Sequence, residues 1–588
     1  MASFWDYFTE ISDDGEEKPK SSFWEYFTAT DAPDAETIQS VNADPCAICF
    51  DEDVVYWAMR NIPITEAVKH FLVCGAIGTG KTTVIDLFLQ SIAPRFKPGR
   101  KKPEQLIIFD AKCDIIPRLA SLGFSLDKDS KKTNIWLLNP YDKRSATWSI
   151  AEAVKSPMMA QHFAALLVPE EKNSNAPFFW TASRQLVYAV LLALNRIDGT
   201  DWSLRDLLCA LSSRERISQI TEMHPRAKEI ASAVLSDTQH SSGVISTLAT
   251  KLSPLEQVAA LWHKPPKDRP FSISKFLKRP GVLILGNDPL LRESLWPINA
   301  MLLNSLSKHI LRGPEVKVPK HWFVLDEFTA MEKVDSIQEL VNRGRSKGAS
   351  VLIGLQGIDR VNELYLETGA NDLLEQLANK TFLRAGGPKT GEWIERYFGK
   401  YRCTEPVYSE SWSRSSGPSG QSNTGQSGSV QYQTVERSIF LASFFMDLPF
   451  TGPGLPLVSV SDIPSLQKTL ITRRWFDDIN SWRKLPDEAT KALQPRESDM
   501  DQTLEAWDEA EEGRFCGPGK RAAKEQARKK AKNAARKKAV KAKRQAAKEA
   551  AKKEAAPGAE ANPDRPPMAT RGDVSPSTKK PNWNGGTS

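Results

Sequence analysis

Hydrophobic and polar positions divide this chain into two α/β regions with a helical region between them. Short apolar runs bounded by polar or turn residues predict buried strands at 71–74, 106–109, 135–138, 281–285, 322–325 and 351–355. Helical periodicity predicts helices between the strands, at 82–92, 295–310 and 334–347. Because strands that alternate with helices form parallel sheets, this pattern predicts an α/β domain.

The pattern changes between residues 151 and 266. Long amphipathic stretches replace the short apolar runs, for example at 179–196, 204–211 and 227–251. Strand signals vanish there, so we predict an all-α domain inserted at 151–266. This insertion splits the α/β domain into a first part, 55–150, and a second part, 267–485.

Two polar stretches interrupt or follow the second part of the α/β domain. Residues 411–429 are rich in Ser, Gly and Gln, which predicts a flexible loop that is too polar to pack. From 486 to 588 strand patterning is lost, and we predict a C-terminal tail that contains an Ala/Lys/Arg-rich helix at 520–556.

The net charge of +7 over 588 residues hides two segments of opposite sign. Residues 1–57 hold 14 acidic residues and two lysines, whereas residues 520–554 hold 16 Lys or Arg and three Glu. Such blocks are typical of interaction tails, so we predict a disordered acidic segment at 1–54. The basic helix has almost no aromatic residues, which favours sequence-independent contact with the phosphates of DNA or RNA; an anionic membrane surface is the second choice.

The acidic segment contains a short aromatic repeat. The stretch from Ser3 to Thr9, SFWDYFT, recurs as SFWEYFT from Ser22 to Thr28. Since disordered segments are usually poor in aromatic residues, two copies favour a linear motif that docks on a partner. The alternative is that both clusters pack on the protein's own surface.

Cysteine usage and hydropathy bear on location. The seven cysteines form no disulfide framework, which indicates a reducing compartment, and we interpret the isolated Cys46/Cys49 pair as incidental thiols rather than a metal or redox site. The longest apolar run, Leu186–Leu194, is about half of what a bilayer span needs. We therefore expect a cytoplasmic protein without a transmembrane segment.

A phosphate-binding motif follows the first predicted strand. Residues 75–82, GAIGTGKT, match GxxxxGK[ST] between a strand and a helix. Such a loop aims backbone N–H groups at phosphates; Lys81 would reach the β- and γ-phosphates and Thr82 would ligate Mg²⁺. The expected cofactors are ATP and Mg²⁺, and the expected nucleotide contacts are Gly75, Gly78, Thr79, Gly80, Lys81, Thr82 and Thr83.

Acidic and amide side chains end two later strands. Asp326 and Glu327 follow the apolar run 322–325, where an ATPase carries its metal-binding and water-activating carboxylates. We expect Asp326 to hold Mg²⁺ and Glu327 to orient or deprotonate the attacking water; the alternative is a solvated strand end. Gln356 follows the run 351–355 and is expected to sense the γ-phosphate.

Three arginines are candidates for an arginine finger, a cation that one subunit inserts into its neighbour's site. Arg343 and Arg345 follow the helix after the carboxylate pair, and Arg384 follows a further apolar stretch. A surface basic cluster or a DNA contact would explain Arg343 or Arg345 equally well.

Several motifs together resemble those of type IV secretion coupling proteins, the ATPases that feed DNA into conjugation machines. Residues 109–114, FDAKCD, resemble the family's D-x-K-G-[DE], with Cys113 in place of glycine. The segment 139–144, NPYDKR, resembles NPxDxR, and Phe179-Trp180 with Ala182 and Arg184 resembles the FW…A-R helix. The series VLDEF at 324–328, Arg345 and Gln356 is similar too, and makes Arg345 the better finger candidate.

The resemblance covers roughly residues 55–480 and implies a RecA-like P-loop NTPase domain with an inserted all-α domain. It further implies a ring, expected to be a hexamer, that pumps single-stranded DNA with its relaxase to a type IV secretion channel. Most of the family begins with transmembrane helices, whereas we expect none in this chain. The aromatic repeats therefore become the expected link to the channel or to a membrane partner, through which the protein would dock at the inner membrane. Two alternatives remain open: a double-stranded DNA translocase or packaging ATPase, and a receptor for protein effectors.

Overall fold

The computed structural model describes residues 9–11, 17–19, 38–40, 48, 50–126, 134–169, 177–236, 238–263, 270–287, 292–416, 422–466, 468–496 and 503–516. The chain divides into two compact units, Met1–Cys516 and Gly517–Ser588. The predicted basic helix at 520–556, the Cys46/Cys49 pair and both aromatic repeats, apart from Thr9, lie outside the described residues.

The first unit is built on a ten-stranded sheet in the order β3-β18-β17-β14-β6-β13-β12-β7-β11-β8. The strands are β1 (Thr9–Ile11), β2 (Glu17–Pro19), β3 (Ile38–Ser40), β4 (Val54–Trp57), β5 (Arg60–Pro63), β6 (Phe71–Cys74), β7 (Gln105–Asp110), β8 (Ile135–Leu138), β9 (Thr147–Trp148), β10 (Pro270–Phe271), β11 (Gly281–Gly286), β12 (Val316–Leu325), β13 (Lys347–Leu355), β14 (Asn379–Phe382), β15 (Lys400–Ser416), β16 (Ser422–Ser438), β17 (Pro456–Ile463) and β18 (Lys468–Trp475). From β14 to β8 all neighbours pair in parallel, whereas β17 pairs antiparallel with β14 and β18.

Helices cover both faces of this sheet. They are α1 (Lys81–Ile92), α2 (Ile115–Ser121), α3 (Ile150–Ala153), α4 (Pro157–Leu167), α5 (Pro177–Asp198), α6 (Leu204–Leu211), α7 (Arg214–Thr221), α8 (Pro225–Leu235), α9 (Thr238–Leu252), α10 (Glu256–His263), α11 (Ile273–Phe276), α12 (Arg292–Leu311), α13 (Asp335–Arg343), α14 (Asp359–Glu375), α15 (Pro388–Phe398), α16 (Ala442–Asp447), α17 (Phe476–Trp482) and α18 (Glu509–Phe515). Along β6, Leu72 and Cys74 join one hydrophobic cluster while Phe71 and Val73 join the other. A strand buried on both faces is apolar throughout, which explains the short apolar runs in the sequence.

The helical insertion is framed by two short strands. β9 pairs in parallel with β10, so the chain enters and leaves the insertion at neighbouring points. Between them, α3 to α10 are helices, and the described residues from 150 to 263 contain no strand. Their buried residues belong to the same hydrophobic cluster as Leu72 and Phe109 of the sheet. The insertion therefore packs against the α/β domain through a shared core.

The structure corrects the prediction of a flexible loop at 411–429. The described part of this segment belongs to β15 and β16, which pair antiparallel from Lys400↔Ser438 to Ser416↔Ser422. A polar composition does not prevent this, because the ladder is held by backbone hydrogen bonds that need no apolar side chain.

The two ends of the first unit also differ from expectation. The acidic segment, predicted to be disordered, contains β1, β2 and β3, and β3 extends the sheet at its β18 edge. Residues 486–516, which the sequence assigns to the tail, belong to the first unit. Arg144 binds Asp142 through both carboxylate oxygens, at 2.9 and 2.7 Å, and also donates to the Lys491 and Ala492 carbonyls. The NPxDxR segment therefore holds the start of the supposed tail in place.

Candidate nucleotide-binding site

The phosphate-binding loop connects the end of β6 to the start of α1. Gly78 and Gly80 have φ values of 77° and 92°, a region that side chains with a Cβ rarely adopt. A Cβ on Gly75 would lie 2.7 Å from Leu383 Cβ, and one on Gly80 would lie 2.7 Å from Leu457 Cδ1. The glycines are thus required by backbone conformation and by close packing.

Neighbouring segments fix this loop from both sides. The Gly75 N–H donates to the Leu355 carbonyl at 2.9 Å, and the Ala76 N–H donates to the Arg384 carbonyl at 2.8 Å. The Thr79 hydroxyl donates to the Ala76 carbonyl at 2.8 Å, so its side chain braces the loop itself. Thr451, from the loop before β17, donates its hydroxyl to the Thr79 carbonyl at 2.9 Å. The loop is therefore held rigidly as an anion-binding turn.

The predicted carboxylate pair lies opposite the loop, at the end of β12. Glu327 Oε2 is 3.4 Å from Lys81 Nζ and 3.4 Å from Lys112 Nζ. Glu327 has φ 60° and ψ 48°, a left-handed conformation unusual for this residue type. Strain of this kind persists where the surroundings enforce it, commonly at functional sites. The structure thus brings Lys81 and Glu327 together across 246 residues.

Asp326 and Thr82 suit a magnesium ion. Asp326 is 9% exposed, and its Oδ1 has no hydrogen-bond partner among the described residues. A Cβ on Gly354 would lie 3.0 Å from that oxygen, so the glycine keeps room beside it. Thr82 is half-buried in the first turn of α1. A buried carboxylate oxygen and a hydroxyl in the first turn of the helix after the phosphate-binding loop are the kinds of oxygen ligand that Mg²⁺ prefers.

Lys112 is a site residue to which the sequence assigned no role. It stands in the turn after β7, in which Asp110 accepts the N–H groups of Asp114 and Ile115 at 3.1 and 3.3 Å. Burial, and then the nearby Asp114 carboxylate, raises the pKa of Asp110 to about 6. Cys113 adopts φ 56°, the left-handed conformation that glycine would favour. The turn therefore keeps the glycine geometry, and it carries Lys112 to Glu327.

Thr83, a predicted nucleotide contact, is bound by another part of the chain. It is 4% exposed, and its hydroxyl accepts a hydrogen bond from Arg483 Nη1 at 3.0 Å. The same Arg483 nitrogen lies 3.5 Å from Asp86, whose carboxylate also accepts from Arg118 Nε at 2.6 Å. The Thr83 side chain thus belongs to a buried ion network that links α1 to the segment after α17.

Gln356 lies at the same sheet edge as the phosphate-binding loop, directly after β13, and is half-buried. Arg345 is exposed in the turn before β13 and therefore lies at the opposite edge of the sheet. Arg343 is exposed and pairs with Glu339 at 3.4 Å. Within one chain the structure brings neither Arg343 nor Arg345 to the carboxylates.

Arg384 adjoins the loop on the other side of β6. Its guanidinium donates to the Leu448 carbonyl at 2.6 Å and lies 4.6 Å from the centre of the Phe450 ring. The sequence indicated Arg384 only as an arginine-finger candidate and assigned no role to Phe450. Nothing in the sequence indicated that the two side chains lie together beside the phosphate-binding loop.

Comparisons with known proteins identify the family of the chain. A family model for the DNA-binding domain of type IV secretion-system coupling proteins matches residues 57–466, more than half of the chain. The chain belongs to this family. The coupling protein TraD of Escherichia coli strain K12 is 21% identical over 348 residues, which are 58% of this chain and 45% of TraD. This coupling protein therefore spans about half the length of that relative.

Solved structures show the same fold. The unbound form of the bacterial conjugative coupling protein TrwB matches with a TM-score of 0.57 at 19% identity, over 76% of this chain and 92% of the TrwB chain. TrwB in complex with ADP and Mg²⁺ matches with a TM-score of 0.53 at 19% identity, over 78% and 92% of the two chains. The likeness confirms the predicted RecA-like α/β domain with its inserted all-α domain.

Membrane attachment was predicted to depend on a partner. Across the helices that the structure describes in this coupling protein, none combines the length and the hydropathy that a membrane span requires.

Proposed function

We propose that this coupling protein binds ATP with Mg²⁺ and hydrolyses it to move DNA, with its relaxase, toward a type IV secretion channel. The observation that carries the proposal is the meeting of Lys81 and Glu327 at 3.4 Å, next to a buried Asp326 oxygen that has no hydrogen-bond partner among the described residues. A phosphate-binding lysine, a metal-binding carboxylate and a water-activating carboxylate at one sheet edge are the parts that phosphoryl transfer needs.

Each residue has a distinct task in this proposal. Backbone N–H groups of the loop from residue 77 to Thr82 hold the phosphates, and Lys81 neutralises the β- and γ-phosphates. Thr82 and Asp326 hold Mg²⁺, which draws charge from the phosphate oxygens when bound. Glu327 orients and deprotonates the attacking water, and Gln356 senses the γ-phosphate. The Glu327 carboxylate also pairs with Lys81 and Lys112, which hold it at the site.

DNA as the moving substrate is supported by the family's name as a DNA-binding domain and by the relatives TraD and TrwB, both described as coupling proteins. The 16 cations of residues 520–554 supply a second, sequence-independent contact with phosphates. The aromatic repeats at 3–9 and 22–28 are proposed to dock on the channel or on a membrane partner.

The position of Arg345 supports a ring, most simply a hexamer. This arginine is exposed at the sheet edge opposite its own carboxylates. It reaches a γ-phosphate only if a neighbouring subunit presents its nucleotide to that edge. Hydrolysis would then take place between subunits and couple to movement of DNA through the ring.

Three variants of the full chain test the proposal. We expect Lys81→Ala to lose nucleotide binding and hydrolysis together, and Glu327→Gln to bind ATP but hydrolyse it at least ~100-fold more slowly. Lys101→Ala, at an exposed lysine outside the site, is the matched control and should behave as wild type. Normal turnover by Lys81→Ala would contradict the proposed function.

The nature of the stimulating substrate separates this function from its alternatives. Turnover that rises more with single-stranded than with double-stranded DNA supports the coupling-protein function. A preference for double-stranded DNA supports a packaging motor. An ATP hydrolysis rate that does not change with DNA, together with tight binding of protein cargo, supports a receptor for effectors.

A further inference from the structure

An exposed aromatic ring stands beside the phosphate-binding loop, on the side away from the carboxylates. Phe450 is 51% exposed and lies in the loop between α16 and β17. The guanidinium of Arg384 covers it at 4.6 Å from the ring centre. A Cβ built on Gly78 would lie 3.7 Å from Phe450 Cδ1, so the ring borders the loop itself. No part of the hydrolytic machinery described above uses this ring.

The sheet order decides which part of a nucleotide meets Phe450. β6 has β13 on one side, with β12 beyond it, and β14 on the other side, with β17 beyond it. Glu327 and Asp326 follow β12, and Lys81 points toward them, so the terminal phosphate belongs on the β13 side. The phosphate chain then carries the ribose and base away from β13, toward β14 and β17. Arg384 and Phe450 come from the loops of those two strands.

Hydrogen bonds hold this second side in register with the loop. The Thr451 N–H donates to the Gly78 carbonyl at 2.9 Å, and the Thr451 hydroxyl donates to the Thr79 carbonyl at 2.9 Å. Arg384 is fixed at both ends, since its carbonyl accepts the Ala76 N–H and its guanidinium donates to the Leu448 carbonyl. The Arg384 side chain and the backbone next to Phe450 are thus held against the loop.

We propose that Phe450, backed by Arg384, is the base-binding wall of the nucleotide site and stacks on a purine ring. This inference rests on the proposed function, because it needs a nucleotide on the loop. An exposed aromatic face next to a phosphate site offers stacking, and a base on Phe450 would cover apolar surface that now faces water. Since every base has a π-face, this wall strengthens binding without choosing between adenine and guanine.

Equilibrium binding of three ligands to the full-length protein tests the wall: ATP, GTP and inorganic tripolyphosphate, all with Mg²⁺. We expect Phe450→Ala to weaken ATP and GTP alike by about tenfold, or about 1.4 kcal/mol, and to leave tripolyphosphate unchanged. Phe450→Trp should restore the affinity for both nucleotides. Phe178→Ala is the matched control, because Phe178 is 53% exposed and lies on α5, in the helical insertion.

The outcomes separate failure of the wall from failure of the proposed function. If wild-type protein binds none of the three ligands, the proposed function itself is wrong. If wild type binds ATP but Phe450→Ala binds it equally well, the base lies elsewhere and the inference is overturned. Equal losses for ATP and tripolyphosphate would also overturn it, since they would mean that Phe450 supports the loop rather than the base.

Discussion

At the residue scale, two positions with strained backbone lie at the edge of the sheet that carries the candidate nucleotide site. Of the non-glycine residues with positive φ, Cys113 and Glu327 occupy the turns after β7 and β12, where those strands end beside the phosphate-binding loop. Such conformations cost roughly 1–2 kcal/mol and are kept where tertiary contacts enforce them. The strained conformation of Glu327 places its carboxylate between Lys81 and Lys112.

Cys113→Gly should stabilise the protein. Cys113 has φ 56°, and glycine adopts this region without a clash. The relief of strain should exceed the added chain entropy of glycine, so we expect a net gain of about 0.5–1 kcal/mol, measured as a higher unfolding midpoint. Ala111→Gly, two residues earlier in the same turn, is the control and should lower the midpoint. A lower unfolding midpoint for Cys113→Gly would show that packing of the thiol contributes more stability than the strained turn costs.

His70 should make the fold sensitive to acid. Its Nδ1 accepts the Val351 N–H at 3.2 Å and its Nε2 donates to the Val341 carbonyl at 3.0 Å, so the ring is bound in its neutral form. Burial lowers the pKa of His70 from 6.5 to about 4. As pH falls from about 6.5 toward 4, the unfolded chain binds a proton that the folded chain does not, and stability is lost by up to about 1.4 kcal/mol per pH unit.

His70→Asn provides the measurement, because asparagine does not titrate and keeps a side-chain amide that can form hydrogen bonds. Denaturation at pH 7.5, 6.0 and 5.0 should show a shallower loss of stability in the variant than in wild type. His309→Asn, at an exposed histidine, should keep the wild-type slope. Parallel curves for wild type and His70→Asn would contradict the interpretation.

At the element scale, a segment far along the chain docks on the helical insertion. Trp507 is 6% exposed, donates from Nε1 to Asp206 at 2.8 Å and stacks on Phe515 with ring centres 4.8 Å apart. Arg205, at the start of α6, binds Glu511 at 2.9 Å. Residues 503–516 are therefore a structural part of the insertion, although the sequence assigned them to a polar tail.

Trp507→Ala should release this segment without unfolding the molecule. Removing a buried indole costs about 3–5 kcal/mol of stability. We expect this to exceed the free energy that holds such a short segment on the insertion. Hydrogen exchange in 503–516 should rise strongly while exchange in β6 and β13 stays at the wild-type level. Glu509→Ala, an exposed position in α18, is the control. Unchanged protection in Trp507→Ala would mean that the ion pairs alone hold the segment.

The predicted strands and helices agree best with the structure where apolar residues are continuous in the sequence. The predicted strands at 106–109 and 281–285 correspond to β7 and β11, and the predicted helix at 82–92 corresponds to α1. The β15–β16 hairpin was missed because its pairing depends on backbone hydrogen bonds between polar residues, which leave little hydrophobic signal.

At the scale of the whole molecule, we propose that a second copy of the chain completes the site with Arg345. Arg345→Ala should bind ATP normally but lose DNA-stimulated hydrolysis by about 10³-fold or more, as for an arginine finger. Mixing Arg345→Ala with Lys81→Ala should recover part of the activity, because a Lys81→Ala subunit can lend its Arg345 to a neighbour with an intact loop. Arg343→Ala should remain active. Full activity of Arg345→Ala, or no recovery on mixing, would contradict a shared site.

The sequence by itself determined the phosphate-binding loop, the Asp326–Glu327 pair and the helical insertion, because each is a local pattern of consecutive residues. Only the tertiary structure decided which distant side chains join them. Lys112 follows β7, Thr451 precedes β17, and Arg483 follows the helix after β18. They meet the loop or its partners because the sheet order places β13, β12 and β7 on one side of β6 and β14, β17 and β18 on the other. Strand order depends on long-range packing, which no single stretch of sequence records.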